Sequence, residues 1–429
     1  MPRIHYDLSE LFYAMSAKVR FYGIAHTITE VGYALSRSGA DLSFVIYSPG
    51  HRRFFELRPR LGAEAANGTL ALGLPPEAKP RRLRRSRVYA HDALSYRIGE
   101  FFARRTNLKR WAAIPAGAVR PIDLNGKILV TISQPRVVSD YTYSLHARGE
   151  SPRLLPLLHD LMPLHETGKR KYNANFIRDN SYLLETCEAV IANSAFTRDE
   201  ILRFSKAGRL PRPRHIFTVP LAHEHRSGDP QAAAPPPDTG PEGYLLCVGC
   251  LPGRKNLEAV LAAMTGLIAA GRPCPDLVLA GAWRKRVVAL VDRHDAVKGR
   301  VHYMRDPDQE TLAGLYRSAR AVVLPSFIEG WGLPAAEALW HGTPALVSDI
   351  PVMHEVCGDL GLYFDPGDPE ALAEGIGALL DDANAEAALR ARISAAKKRL
   401  RRWQDVAQDV TDAVADFAAR TGKDVKPQP

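Results

Sequence analysis

Pro325-Ser-Phe-Ile-Glu-Gly-Trp-Gly-Leu-Pro-Ala-Ala-Glu-Ala-Leu-Trp-His-Gly342 places a loop, a helix start and a helix stop in one short stretch. Before it, Ala321-Val-Val-Leu324 is apolar and rich in β-branched residues, as a buried parallel strand is. Pro334 predicts the opening of a helix and Gly342 its end. A strand, a glycine loop and a helix start in succession turn backbone N–H groups and a positive dipole end toward one point, which suits phosphate. Gly330 and Gly332 let the backbone come close. Glu329 in the loop and Glu337 in the helix would repel phosphate but accept hydrogen bonds from hydroxyl groups. A ligand that suits all of these groups has phosphate at its middle and hydroxyls at both ends, the layout of a nucleotide sugar.

A second loop points the same way. Tyr244-Leu-Leu-Cys-Val248 reads as a strand, followed by Gly249-Cys-Leu-Pro-Gly-Arg-Lys-Asn256 and a helix with Leu257, Val260, Leu261 and Met264 on one face. Arg254 and Lys255 stand at the positive end of that helix, where a cation costs roughly 0.3–1 kcal/mol unless an anion is bound. Strands at Asp276–Ala280, Arg300–Met304, Pro344–Ser348 and Leu362–Phe364 alternate with helices at Trp283–Val291, Gln309–Ser318 and Pro369–Leu380. Asp306-Pro-Asp308 has the spacing of a metal motif, but its place before a helix predicts Asp308 as an N-cap.

The first half repeats the plan less clearly. Arg3–Asp7, Leu42–Tyr47, Lys127–Ile132, Leu154–Leu158, Ala189–Ala192 and His215–Pro220 read as strands, with helices at Ala25–Arg37 and Asn173–Cys187. His159-Asp160 follows a strand, and the carboxyl ends of parallel strands face the ligand in doubly wound sheets. Gly23 lies in the first strand-to-helix connection, and Ser194 predicts an N-cap. From Gly50 to Asn125 the chain is basic and interrupted by prolines, with helix expected near Ala93–Leu108. The Ala- and Pro-rich stretch from Ser227 to Gly243 reads as a linker.

At 429 residues and 46% hydrophobic composition, two packed domains are expected. No apolar run reaches the ~18 residues of a membrane span, and the N-terminus lacks a leader's apolar core, so a cytoplasmic location is expected. Five scattered cysteines argue for reduced thiols, and in Cys247-Val-Gly-Cys250 the first cysteine lies inside a strand run rather than in a redox or zinc setting. The charge of +10 gathers at Lys79–Arg87, Arg104–Arg110 and Lys397–Arg402. Such patches attract nucleic acid or an anionic membrane. The basic runs are not interleaved with aromatics as single-strand binders are, which disfavours nucleic acid.

Glu-x7-Glu within Pro-Ser-x-x-Glu-Gly-x-Gly-Leu-Pro, together with Gly-x-x-x-x-Arg-Lys-Asn, His-Asp-x-x-Pro and Asn-Ser-x-Phe-Thr, resembles glycosyltransferase family 4. Trp331 stands where that family more often has Phe or Tyr, and Cys250 where many members have Arg. The resemblance implies an α/β GT-B fold, two doubly wound Rossmann-like domains facing a cleft, with a C-terminal helix crossing back. Residues 1–226 form the acceptor-side domain, 227–243 the linker, 244–400 the nucleotide-sugar domain, and 401–429 the returning helix and tail.

It also implies a retaining hexosyltransferase. Glu329, His159 and Asp160 would serve the reaction centre, with Glu329 on the donor sugar. Arg254, Lys255, Gly249 and the backbone of Gly330, Trp331, Gly332 and Leu333 would hold the donor, with Glu337 on its ribose. Gly23 and Ser194 are further cleft candidates. The family's pattern favours GDP-mannose over UDP-glucose or another UDP-sugar, a saccharide or diphosphate-lipid-linked acceptor in surface polysaccharide assembly, and no metal or other cofactor. Peripheral attachment to the inner membrane face through Arg81, Arg82, Arg84, Arg85 and Arg87 follows as an expectation.

Overall fold

Runs of Val, Ile and Leu bounded by Gly, Pro and Asp become the strands of two separate sheets. The computed structural model describes residues 2–15, 23–65, 67–82, 88, 93–165, 170–227, 237–282 and 284–420. The chain divides into two compact units, Met1–Pro220 with Trp403–Pro429, and Leu221–Arg402.

The first unit contains β1 (Ile4–Asp7), β2 (Leu42–Ser48), β3 (Arg53–Leu57), β4 (Arg60–Leu61), β5 (Leu70–Ala71), β6 (Val119–Pro121), β7 (Ile128–Thr131), β8 (Arg153–Leu158), β9 (Val190–Ala192) and β10 (Ile216–Thr218). Its eight-stranded sheet runs β10-β9-β8-β7-β1-β2-β3-β6. The strands from β10 to β2 are parallel, whereas β3 and β6 add an antiparallel edge. Between Gly50 and Asn125 the helix expected near Ala93–Leu108 is Leu94–Trp111, and that edge and the β4–β5 hairpin are additions that the sequence reading lacks. Two helices had gone unrecognised, Ser9–Ala14 and Pro135–His146, the latter opened by a proline. Asp7, fully buried at the end of β1, accepts hydrogen bonds from Ser9, Thr131 Oγ1 (2.8 Å) and Tyr141 Oη (3.0 Å) and so ties β1 to β7.

The C-terminal helix Trp403–Ala419 packs on Ile24–Ser36 within this unit. The fully buried Trp403 meets His26 edge to face at 5.8 Å.

In the second unit β11 (Tyr244–Val248), β12 (Asp276–Gly281), β13 (Val301–Arg305), β14 (Ala321–Leu324), β15 (Ala345–Ser348) and β16 (Gly361–Phe364) are all parallel, in the order β13-β12-β11-β14-β15-β16. The order reverses between β11 and β14, which makes the carboxyl ends of these two neighbours the switch point where doubly wound sheets bind ligands.

The unit boundary differs from the expected residue 226. Residues 221–226 belong to the second unit because His223 bonds to the Val356 carbonyl (2.9 Å), and His225 to Gln309 and His341. Much of the expected linker, residues 228–236, lies outside the described residues, as do Trp283 and Arg84, Arg85 and Arg87.

Candidate active site

At the switch point the loop after β11 and the loop after β14 are bound together. Asn256 adopts a left-handed conformation (φ 51°), which Asn tolerates better than most residues. Its buried side-chain amide donates to the Pro325 carbonyl at 3.1 Å and the Pro366 carbonyl at 2.8 Å. Phe327 N–H donates to the Arg254 carbonyl at 3.0 Å, and Arg254 Nη1 to the Ile328 carbonyl at 3.2 Å. The last residue of Arg-Lys-Asn therefore acts as a clamp. Its type and its place before a helix were the signals that could have marked it.

The clamp brings Glu329 to the two cations. Lys255 Nζ lies 2.5 Å from Glu329 Oε1, and Arg254 Nη1 lies 4.0 Å from Oε2. Burial alone would raise the carboxyl's pKa, but Lys255 and Arg254 outweigh it and hold Glu329 below its ordinary value. The result is a buried, ionised carboxylate at the carboxyl edge of the sheet.

Gly332 precedes the helix Leu333–Trp340 with φ 96°. The conformation favours glycine, and a Cβ there would stand 2.4 Å from Met353 Cε, the movable tip of a flexible side chain. Leu333 is the first helical residue and Pro334 the second, one position later than expected for the proline. Gly249 has φ 62° at the end of β11, where it begins the basic loop. Gly330 is buried between Glu329 and Trp331.

Trp331, expected to serve the donor through its backbone, has its side chain engaged elsewhere. Its side chain is buried in the unit, its indole N–H donates to the Ala222 carbonyl (3.3 Å), and its ring faces His223. Only its backbone is left for a ligand. The reason is the segment 221–226, which covers it.

Glu337 also has a partner that sequence did not reveal. Tyr316 Oη donates to Glu337 Oε2 at 2.5 Å, from the preceding helix Gln309–Ser318. The Tyr316 ring stacks on His341 at 5.6 Å, and His341 pairs with His225 at 2.9 Å between ring nitrogens. Burial pushes Glu337 up to about 7, and it lowers His225 to about 4 and His341 to about 3, so both histidines are neutral near pH 7.

Next to Gly249, a cavity of about 90 Å³ lies at the carboxyl ends of β11, β12 and β13, with Ala280, Gly281, Tyr303 and Arg305 among its lining residues. Asp308 accepts from Thr311 N–H at 2.8 Å, the N-cap that its position predicts. Cys247 and Cys250 donate to the Val323 and Lys255 carbonyls, so the Cys-x-x-Cys pair is structural.

The remaining candidates sit in the first unit. His159 follows β8, and its Nε2 is 2.6 Å from the Ile132 carbonyl. A carbonyl can only accept, so Nε2 carries the proton and Nδ1 is the acceptor of the neutral ring. Burial, partly opposed by that bond, lowers its pKa to about 4. Asp160 Oδ1 accepts from Met162 N–H at 3.1 Å. Gly23 has φ 64° and ψ −130°, a combination open to glycine, at the start of Ile24–Ser36. Ser194 is fully buried, and its Oγ caps Ala195–Lys206 by accepting from Thr197 N–H. An N-cap accounts for Ser194 without a ligand.

Residues 233–399 match the family model described as Glycosyl transferases group 1. Over 222 residues the chain is 31% identical to the O-antigen chain mannosyltransferase B of Escherichia coli, which covers 50% of this chain and 58% of that protein. Over 260 residues it is 33% identical to the glycogen synthase of Mycobacterium tuberculosis, 58% of each. The chain thus spans less than two thirds of the length of either relative. Among solved structures, sucrose-phosphate synthase from Thermosynechococcus elongatus aligns with a TM-score of 0.64 at 18% identity, over 98% of this chain and 100% of that one. Anabaena HepE in complex with UDP and glucose aligns with a TM-score of 0.57 at 14% identity, over 97% and 100%. The fold is GT-B, with two Rossmann-like units.

Proposed function

We propose that the protein is a retaining glycosyltransferase that moves a hexose, mannose from GDP-mannose, to a saccharide or diphosphate-lipid-linked acceptor in surface polysaccharide assembly. The observation that carries this reading is the Lys255–Glu329–Arg254 cluster at the β11/β14 switch point, beside the helix that begins after Gly332. The cations and the helix N–H groups supply positive charge for a diphosphate, and Glu329 is an ionised acceptor for sugar hydroxyls. Glu337, with Tyr316 behind it, is assigned to the ribose, and the cavity beside Gly249 to the base.

Retention is accounted for by same-face attack. The acceptor oxygen bonds to the anomeric carbon as the bond from that carbon to the phosphate oxygen breaks, and the departing phosphate takes the acceptor's proton. Arg254 and Lys255 lower the cost of the charge that builds on the leaving group, without a protein nucleophile or a metal. His159 Nδ1, unprotonated near neutral pH, is assigned to a hydroxyl of the donor sugar, and Asp160 to the same centre.

The mannosyltransferase relative supports a mannose donor, whereas the UDP and glucose bound by HepE favour a UDP-hexose as the second reading. A thermal-shift screen of nucleotide sugars separates them, since a ligand at 100 times its Kd adds about 2.7 kcal/mol of stability. GDP-mannose should stabilise the protein most. Stabilisation by UDP-glucose alone would reverse the donor assignment, and none by any nucleotide sugar would remove the function.

A further inference from the structure

The helix Leu94–Trp111 carries two apolar faces. Tyr96, Ala103 and Asn107 are buried against the first unit. On the other side Leu94 is 70%, Ile98 51%, Phe101 63% and Phe102 58% exposed, with Leu108 at 39%. At about 100° per residue these five occupy roughly 120° of the circumference, turned away from the buried side. The other exposed large hydrophobics among the described residues, Leu202 and Phe327, stand singly. Scattered exposed residues need no explanation, but a contiguous stripe on one helix marks an interaction surface.

The charge around the stripe has one sign. Arg97 and Arg104 border it, and Arg105 and Lys109 enter its C-terminal half. The helix's one acid, Glu100, is 2.7 Å from Arg52. Asn107 accepts from Arg81 N–H (2.6 Å) and donates to the Arg81 carbonyl (3.1 Å), and Arg110 donates to the Lys79 carbonyl (3.0 Å). The start of the Lys79–Arg87 run is thereby fixed against the inner side of the helix, away from the stripe.

We propose that this outward face docks on an anionic lipid bilayer. Leu94, Ile98, Phe101 and Phe102 enter the boundary between head groups and acyl chains, while the arginines and Lys109 lie among the lipid phosphates. Charge selects this occupant over a second copy of the chain. A symmetric dimer through the stripe would set the basic residues of one copy, Arg97, Arg105 and Lys109, against the same basic set of the other, whereas acidic lipid supplies the opposite charge around an apolar centre. The inference deepens the lipid-linked acceptor reading and rests on it only for its purpose.

The test is sedimentation of the full chain with phosphatidylcholine vesicles, with and without phosphatidylglycerol. Binding should need phosphatidylglycerol and weaken with salt. The Ile98→Ser, Phe101→Ser, Phe102→Ser triple variant should lower the bound-to-free ratio by about tenfold or more while melting normally. A second variant, Arg97→Glu with Arg105→Glu, keeps the apolar stripe and should lose the preference for phosphatidylglycerol. Unchanged binding by the triple variant, or binding indifferent to lipid charge, overturns the proposal. So does a dimer in ultracentrifugation that the triple variant abolishes without effect on vesicles. Hexose transfer to a detergent-dispersed acceptor reports the enzymatic reading separately. Transfer without vesicle binding sinks the docking surface alone, and docking without transfer to any lipid-linked acceptor sinks that acceptor alone.

Discussion

Replacing Lys255 with methionine should destabilise the second unit through Glu329. The side chains of the pair are 20% and 7% exposed, so solvent screens them little. Removing one partner of a buried ion pair costs about 3–5 kcal/mol, because the other charge is left stranded. Arg254 remains at 4.0 Å and offsets part of this, so about 2–4 kcal/mol is expected at pH 7. The sign with pH follows from the depressed pKa of Glu329. In the wild type the carboxylate contributes stability that is present above its unfolded value of 4.5 and lost as pH falls through the folded value. In Lys255→Met burial dominates, the folded pKa rises, and the stranded charge is relieved as it protonates. The difference between the two proteins should therefore be largest near pH 7 and shrink toward pH 4.5 and below. Urea denaturation followed by tryptophan fluorescence measures it. In a Glu329→Gln background the same replacement should cost less than about 1 kcal/mol. An equal loss in both backgrounds, or one independent of pH, would refute the reasoning.

Glu337→Gln tests the opposite case. A carboxyl raised to about 7 lowers stability as pH rises from 4.5 through 7, so the variant should match the wild type near pH 4 and exceed it at pH 8 by on the order of 3 kcal/mol in thermal unfolding. A variant no more stable at pH 8 would place the charge of Glu337 elsewhere. Gly332→Ala should cost about 1–3 kcal/mol in urea from its left-handed φ, and a midpoint within error of wild type would contradict that. Transfer should survive EDTA, since Asp308 serves as a cap, and restoration by magnesium after loss would show a metal requirement.

The fold was legible where strands are buried on both faces and read as plain apolar runs, as in Ala321–Leu324. The pairing of Glu329 with Arg254 and Lys255 was not, although each was singled out. Their loops are distant in sequence and meet only because β11 and β14 are neighbours at the strand-order reversal. Tyr316 and the His225–His341 pair escaped notice because they lie on neighbouring elements, outside any motif. The helix expected near Ala93–Leu108 is found at Leu94–Trp111, but its outward stripe was not legible, because Arg105 and Lys109 interrupt it. The cover over the Trp331 side chain was not legible either, because it comes from the segment 221–226, assigned by composition to the edge of the other domain.

The central claim is that Glu329, held by Lys255 and Arg254, serves a donor sugar at the switch point of the second unit. The most direct measurement is release of nucleoside diphosphate from GDP-mannose in the presence of acceptor, for the wild type and Glu329→Gln, with affinity for the nucleoside diphosphate measured by calorimetry on both. The account predicts a fall in turnover of about a hundredfold or more with affinity nearly unchanged. Turnover near that of the wild type, or loss of turnover and diphosphate affinity in equal measure, would contradict it.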